Sequence, residues 1–576
     1  LKTNRNLIWV ALALLLLLAV LLPKPTEEIL PKRAAASMGN IKCTVAKFLL
    51  GPIDSTRQIA PLFENLGNHH FEVTTQNARS QAFFDQGIRL TYAFNHAEGH
   101  RAFLEAGRLD PRNPMAFWGQ AYALGPNIND PEPVAERRQQ AWDALQKANA
   151  LLDRATPLEQ ALILALNARY SPDPEVPTAT LNEAYRQAMG GVASEFPDHP
   201  EVLTLYAASI LNTMPWNYWK PSGAPMPHTL EAQKALERTI ALSPDHPGAH
   251  HYYIHLVELP FPDLGVPSAE RLEDLMPAAG HLVHMPSHIY IRVGRYKDAV
   301  RVNRKAIGAD EDYIAQCFAQ GLYPLTYYPH NIHFLWSASS LIGESETAIW
   351  AARKTAEKVP VGEMTTLPFL QDFASTPLLA YIRFGKWNDI LTFPEPAKEV
   401  KHLRLMRHYA RGMAFIRKGK PGEAREELEA IAGLIEDPEM MAFIATPYNP
   451  SERLARVAHG VVAGELAALE GRGEEAIQHL QEAIAAEDAL TYTEPSAWHI
   501  PPRQNLGAVL MDLGKFAEAE AVYREDLKRL RKNGWSLKGL QLALEAQGKT
   551  DEALQAAAAF RDIWKHADLN IQRSVL

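Results

Sequence analysis

The chain has 576 residues, 47% of them hydrophobic and 22% charged, and a formal net charge of −9. This is the balance of an ordinary folded protein, and a mildly negative charge without a long basic run gives no support for nucleic-acid binding. Its two cysteines, Cys43 and Cys317, supply neither a disulfide framework nor a thiolate zinc site.

The first element in chain order is apolar. A basic KTNRN precedes LIWVALALLLLLAVLL (7–22), which carries no charge. The run is short for a membrane span and long for the apolar part of a signal peptide. We read 1–24 as a signal anchor or signal peptide and 25–72 as an irregular tether. A retained anchor with its positive flank inside implies a membrane-tethered protein with an exported body, periplasmic or extracellular. Translation from Met38 would instead give a cytoplasmic protein.

From residue 73 the sequence predicts helical pairs, divided into N-terminal repeats (73–245), histidine-rich central repeats (246–345) and C-terminal repeats (346–576). A glycine followed five residues later by alanine recurs as GRYKDA (294–299), GESETA (343–348), GKPGEA (419–424), GRGEEA (471–476), GKFAEA (514–519) and GKTDEA (548–553). The glycine suits a turn at positive φ, and the alanine lets the second helix approach the first. In three of these units a further glycine, Gly412, Gly464 or Gly507, sits on the first helix. RQNLGAVLMDLGKFAEAEAVYREDL (503–527) and FNHAEGHRAFLEAGRLDP (94–111) carry the pattern best. They resemble the tetratricopeptide repeat (TPR) superfamily, and the resemblance extends over roughly 75–570. It implies an all-α fold, a right-handed TPR-like solenoid of helix–turn–helix repeats, whose concave face would take a peptide or a small molecule. It implies no reaction.

The middle of the chain adds a turn element, LDPRNP (109–114), FPDHP (196–200) and SPDHP (243–247). In the helix after the third turn stand His251 and His255, where the helix after the second has Thr204 and Ala208 and that after the first has Trp118 and Tyr122. The scaffold therefore does not demand histidine there. His199 and His246 belong to the turn itself and are set aside as turn residues.

Nine of the 21 histidines fall between 246 and 333. His251 and His255 are one helical turn apart, with Glu258 on the same face. His284 and His288 repeat that spacing 33 residues on, one repeat length, so stacking should set the pairs side by side. YYPHNIHFLW (327–336) brings His330 and His333. These seven, His251, His255, Glu258, His284, His288, His330 and His333, are the expected ligands of one or two transition-metal ions. His250, His281, His96 and His100 are expected as supporting groups or extra ligands, the last two only if the array curls back on itself. Histidine without thiolate, together with expected export and Met285 nearby, favours copper over iron or zinc. The competing reading is a buried hydrogen-bonded network with aromatic partners, or a pH-responsive cluster.

Tyrosine and tryptophan crowd these segments. Tyr253 or another nearby tyrosine is expected to tune the metal, Glu258 is the catalytic base if the protein is a hydrolase, and Trp216, Trp219, Tyr290 and Tyr328 are expected to wall a substrate pocket. GPNIN (125–129) is a turn that could line it, and YTEPSAWHIPPR (492–503) an insert that could cover the concave face. The segments AHHYYIH, GHLVHMPSHIY, YYPHNIHFL and REDL…NGWSL also resemble those of a broad bacterial set of TPR-like proteins, which marks the positions as a signature without implying a reaction. The leading expectation is a copper-dependent oxidoreductase. The alternatives are a peptide- or protein-binding scaffold whose metal is structural or absent, and a metal-dependent hydrolase with Glu258 as general base.

Overall fold

Regular structure begins where the sequence turns polar and periodic. The computed structural model describes residues 56–316, 323–444, 446 and 448–576. The anchor expected over 1–24 lies outside the described residues, as do Cys43 and Cys317. Among the described residues no helix is long and apolar enough to cross a membrane. Of the expected tether, residues 56–72 are described; their backbone is irregular but fixed to the body. The Ile59 N–H donates to Glu105, the Phe71 N–H donates to Asp85, and the Phe71 side chain is buried.

Helical hairpins follow one another, from Ala78–Tyr92 with His96–Leu109 to Gly534–Ala546 with Thr550–Trp564. The proline-containing turns start helices as expected. Asn113 Oδ1 accepts the N–H groups of Met115 and Ala116 ahead of Pro114, and His246 Nδ1 accepts the Ala249 N–H ahead of its own helix. Both satisfy donors that a helix start leaves orphaned, and proline at the first helical position loses no bond.

The two helices of a hairpin differ in burial. Every residue of Pro247–Val257 is buried, whereas Ala135–Asn149 buries only Ala141, Ala144, Leu145 and Ala148. A helix apolar on one stripe belongs at the surface and one enclosed all round belongs inside. First helices therefore form an inner layer and second helices an outer one.

The signature glycines behave as the sequence predicts. Gly294 has φ 78° and Gly514 φ 71°, and the other four are also at positive φ. The ring of Tyr523 is wedged between Gly507 and Gly539, where an added Cβ would fall 2.4 and 2.3 Å from it. Gly507→Ala should therefore destabilise the C-terminal repeats by about 1–3 kcal/mol through overpacking. Denaturant unfolding of the variant beside the parent measures this.

The array coils tightly enough for distant hairpins to touch. The Tyr296 hydroxyl donates to the Arg531 carbonyl at 2.7 Å, and Trp535 Nε1 to the Ser340 carbonyl at 2.8 Å. His251 meets the carbonyl of Tyr92 in the first hairpin. Within this coil lies a cavity of about 440 Å³.

Candidate metal centre

The stretch HPGAHHYYIHLVE builds one wall of the centre. Pro247–Val257 turns His251 and His255 to the same inner face, with their Nε2 atoms 3.1 Å apart. The next first helix is split at Met285 into Gly280–His284 and Pro286–Arg292, yet His284 and His288 keep the same relation, with Nε2 atoms 3.0 Å apart. His281 joins the first pair, and His330 from Tyr327–Leu341 joins the second. Two groups of three histidines result, each with potential ligand atoms within 4.8 Å of one another. The groups are neighbours: ring centroids are 5.5 Å apart for His255 and His288 and 5.7 Å for His281 and His284.

The outer nitrogens show how these rings are prepared. His251 Nδ1 faces the Tyr92 carbonyl at 2.6 Å, His284 Nδ1 faces Asn303 Oδ1 at 2.7 Å, and His288 Nδ1 faces Glu258 Oε2 at 2.7 Å. His255 Nδ1 lies 3.6 Å from Glu258 Oε1. The Asn303 amide nitrogen donates to the Ala299 carbonyl, which turns its oxygen to His284. An oxygen acceptor at Nδ1 holds the ring proton there and leaves Nε2 as a bare lone pair. For His284 and His288 both outer nitrogens are so committed, and their two bare lone pairs 3.0 Å apart repel each other unless a cation shares them. A metal bound at about 2.0–2.1 Å holds adjacent nitrogens about 2.9 Å apart at a right angle and about 3.3 Å at a tetrahedral one, so the spacing fits.

Electrostatics agree. Burial holds His251, His281, His284 and His330 well below the ordinary imidazole value, with neighbouring imidazoles pushing the same way, and burial also lowers His255. Rings neutral at pH 7 need lose no proton to bind metal. Burial works against the charge on Glu258, but His288 and His255 hold its carboxyl down to about 2. Glu258 stands behind His288 and beside His255, the carboxylate–histidine arrangement that orients metal-bound imidazoles, and with these two rings it also forms a third group of metal-like spacing, which keeps its expected place as a ligand. One carboxylate serves both groups.

A further cluster, His69, Glu201 and His246, has metal-like spacing but different protonation. His246 Nδ1 accepts the Ala249 N–H, so the ring proton sits on Nε2 and points to Glu201 Oε1 at 3.1 Å. Glu201 also accepts from the Tyr92 hydroxyl at 2.5 Å and lies 2.6 Å from His69 Nε2. This is a hydrogen-bonded hub around a carboxylate. It confirms a turn role for His246 and widens it.

The other expected site residues divide. His333 leaves the cluster and lies against His499, Nε2 to Nε2 at 3.1 Å, because a step of three residues from His330 rotates it towards the C-terminal hairpins. His281, expected as a supporting group or extra ligand, stands within the first histidine group, and neither of its ring nitrogens has a hydrogen-bond partner among the described residues. His250 faces Ser268 and the Pro244 carbonyl, away from the centre. Tyr253 donates to Glu237 on the outer face, two residues and more than half a helical turn from His251, so its expected catalytic role is not supported. Trp219 donates to the Leu256 carbonyl, Tyr290 to Glu273 and Tyr328 to Glu311, and none of the three lines the cavity. Trp216 does, edge-on to His255 with centroids 4.9 Å apart. Met285 is buried outside both histidine groups.

His255, His281, His288 and His330 all face the cavity. His96 and His100 do so as well, since the array does curl back. Phe94, which the sequence did not flag, stands among these rings at φ 57°, with centroids 4.2 Å from His251 and 5.8 Å from His255. From the 492–503 insert come Tyr492 and Glu494, so the insert does form part of the cavity wall. Burial raises the Glu494 carboxyl to about 7, and Tyr492 donates to it at 2.5 Å. Gly125, Asn127 and Asn129 of GPNIN line the cavity too.

Fold and site together define an all-α array of TPR-like hairpins with a histidine-walled cavity at its centre. No family model matches the chain, and no curated protein matches it. Among solved structures it is similar to the human IFIT1 dimer with m7Gppp-AAAA, at 13% identity over 94% of this chain and 96% of that one, TM-score 0.31. It is also similar to the P58(IPK) TPR domain (14% identity, 72% and 95% covered, TM-score 0.19) and to the Cut9–Hcn1 hetero-tetramer of the APC/C (14%, 95% and 85%, TM-score 0.28). Likeness this distant carries no ligand or partner across to this chain.

Proposed function

We propose that the protein is a histidine-ligated metalloprotein with two neighbouring ions, one on His251, His255 and His281 and the other on His284, His288 and His330, acting as an oxidoreductase on a small molecule in the central cavity. The observation that carries this reading is the protonation pattern: the Nδ1 atoms of His251, His284 and His288 are committed to oxygen acceptors, and the bare Nε2 atoms converge. Copper is the favoured ion. Three imidazoles per ion with no thiolate suit it, and moving Glu258 behind the ligands removes the carboxylate that would favour iron. Three protein ligands leave a coordination position open, and four of the six histidines line the cavity where a substrate would enter. A cavity of about 440 Å³ is the size that takes a small molecule. The membrane-tethered, exported body also remains a proposal, resting on the 7–22 run alone.

Copper titration of metal-free protein tests this, read by elemental content and by visible and electron paramagnetic resonance spectra. Two copper ions per chain in nitrogen-rich surroundings are expected. Glu258→Gln should keep both but bind them about 10–100-fold more weakly, because one carboxylate orients a ring in each group. Zinc retained in preference to copper, or no retention of either, would overturn the redox reading.

A further inference from the structure

The cavity has a second polar side. His96 lines it, and both of its ring nitrogens are buried without a hydrogen-bond partner among the described residues. Two of the polar groups near it have partners of their own. Asn129 donates to the Tyr327 hydroxyl at 3.0 Å and accepts from Trp216 Nε1 at 3.2 Å, and Asp130 is ion-paired with Arg137. Leaving a buried donor and acceptor unmet costs roughly 1–3 kcal/mol, so such a ring belongs where a ligand meets it.

Its position relative to the metal side is defined by Phe94. The Phe94 ring is close to parallel with both His96 (centroids 5.7 Å apart, planes 21°) and His255 (5.8 Å, 4°). Trp216 adds a second aromatic surface against His255. Phe94 and Trp216 both line the cavity, so a ligand reaching from the centre to His96 passes aromatic side chains, which favour a flat aromatic body.

We propose that the cavity takes an uncharged aromatic molecule bearing a hydroxyl group, with His96 as the residue that recognises the hydroxyl. The inference rests on reading the cavity as the substrate side of the metal centre. A neutral imidazole offers one N–H and one lone pair, and a hydroxyl offers the complementary acceptor and donor. Burial, with Arg137 adding to it, holds His96 down to about 3, so it carries no charge at pH 7 that would draw a carboxylate.

Equilibrium dialysis of metal-free protein against 2-naphthol, naphthalene and 2-naphthoate tests the proposal. The expected result is 2-naphthol binding at least tenfold tighter than either of the others. His96→Leu should erase the preference over naphthalene while leaving naphthalene binding unchanged, and His96→Gln, which keeps a donor and an acceptor, should restore most of it. Equal binding of 2-naphthol and naphthalene to the parent protein, or a preference that survives in His96→Leu with its helical spectrum intact, would overturn the proposal. Because the probes are bound without metal, a failure to take up copper would sink the oxidoreductase reading on separate evidence.

Discussion

Alanine at His251 combined with alanine at His284 should strip the protein of both metal ions while the helical array stays folded. Each substitution removes one Nε2 donor from a different three-histidine group. Two remaining imidazoles cannot hold a divalent ion against solvent as three can, so copper content should fall from two ions per chain to a small fraction of one. The choice of positions matters. His288 holds the buried carboxylate of Glu258 directly and His255 lies beside it, and removing either would leave that charge poorly compensated, at a cost of several kcal/mol. His251 and His284 instead face neutral oxygens, the Tyr92 carbonyl and the Asn303 amide. Their loss costs about 1–3 kcal/mol each in packing and unmet hydrogen bonds. Elemental analysis after dialysis, with circular dichroism on the same samples, separates lost ligands from lost fold. Variants that keep full metal and are merely less stable would show these rings to be core residues.

The second large effect is acid lability of the metal-free protein. Apart from the proposed ligands, burial holds His96 and His333 down to about 3 and His100 and His402 to about 4. In the unfolded chain each takes up a proton near pH 6.5. Folded-state values are depressed, so the unfolded state binds more protons below pH 6.5 and stability falls with pH from there down to the folded values. Each group contributes a slope of about 1.4 kcal/mol per pH unit, and four together about 5 kcal/mol per unit. Against a total of about 5–15 kcal/mol, metal-free protein should unfold within about one to three units below pH 6.5. Thermal melting between pH 7.5 and 5 measures this. A melting temperature that does not change over that range would mean that these rings are hydrated in solution.

Much of the fold was legible because its rules are local. Six turn glycines announced six hairpins, and the proline turns announced helix starts, since φ and capping depend on a few neighbouring residues. The repeat-length offset between the two histidine pairs also read correctly, because stacked hairpins convert sequence period into adjacency. What failed was rotation about the helix axis and return of the chain. Tyr253, Trp219, Tyr290 and Tyr328 lie close to the histidines in sequence but turn outward. His333 could be placed only by knowing that His499 comes back to meet it across 166 residues. Phe94 and Glu494 reach the cavity through the same coiling, which no local pattern encodes. Glu258 was found on the right face, but spacing alone does not distinguish a ligand from the group that steers one.

Anomalous diffraction from copper-loaded crystals at the copper edge tests the central claim most directly. Two peaks are predicted, one among Nε2 of His251, His255 and His281 and the other among those of His284, His288 and His330, with Glu258 behind the rings and outside both coordination spheres. Density between His333 and His499, an ion bound directly by the Glu258 carboxylate, or no peak within the histidine cluster would contradict it.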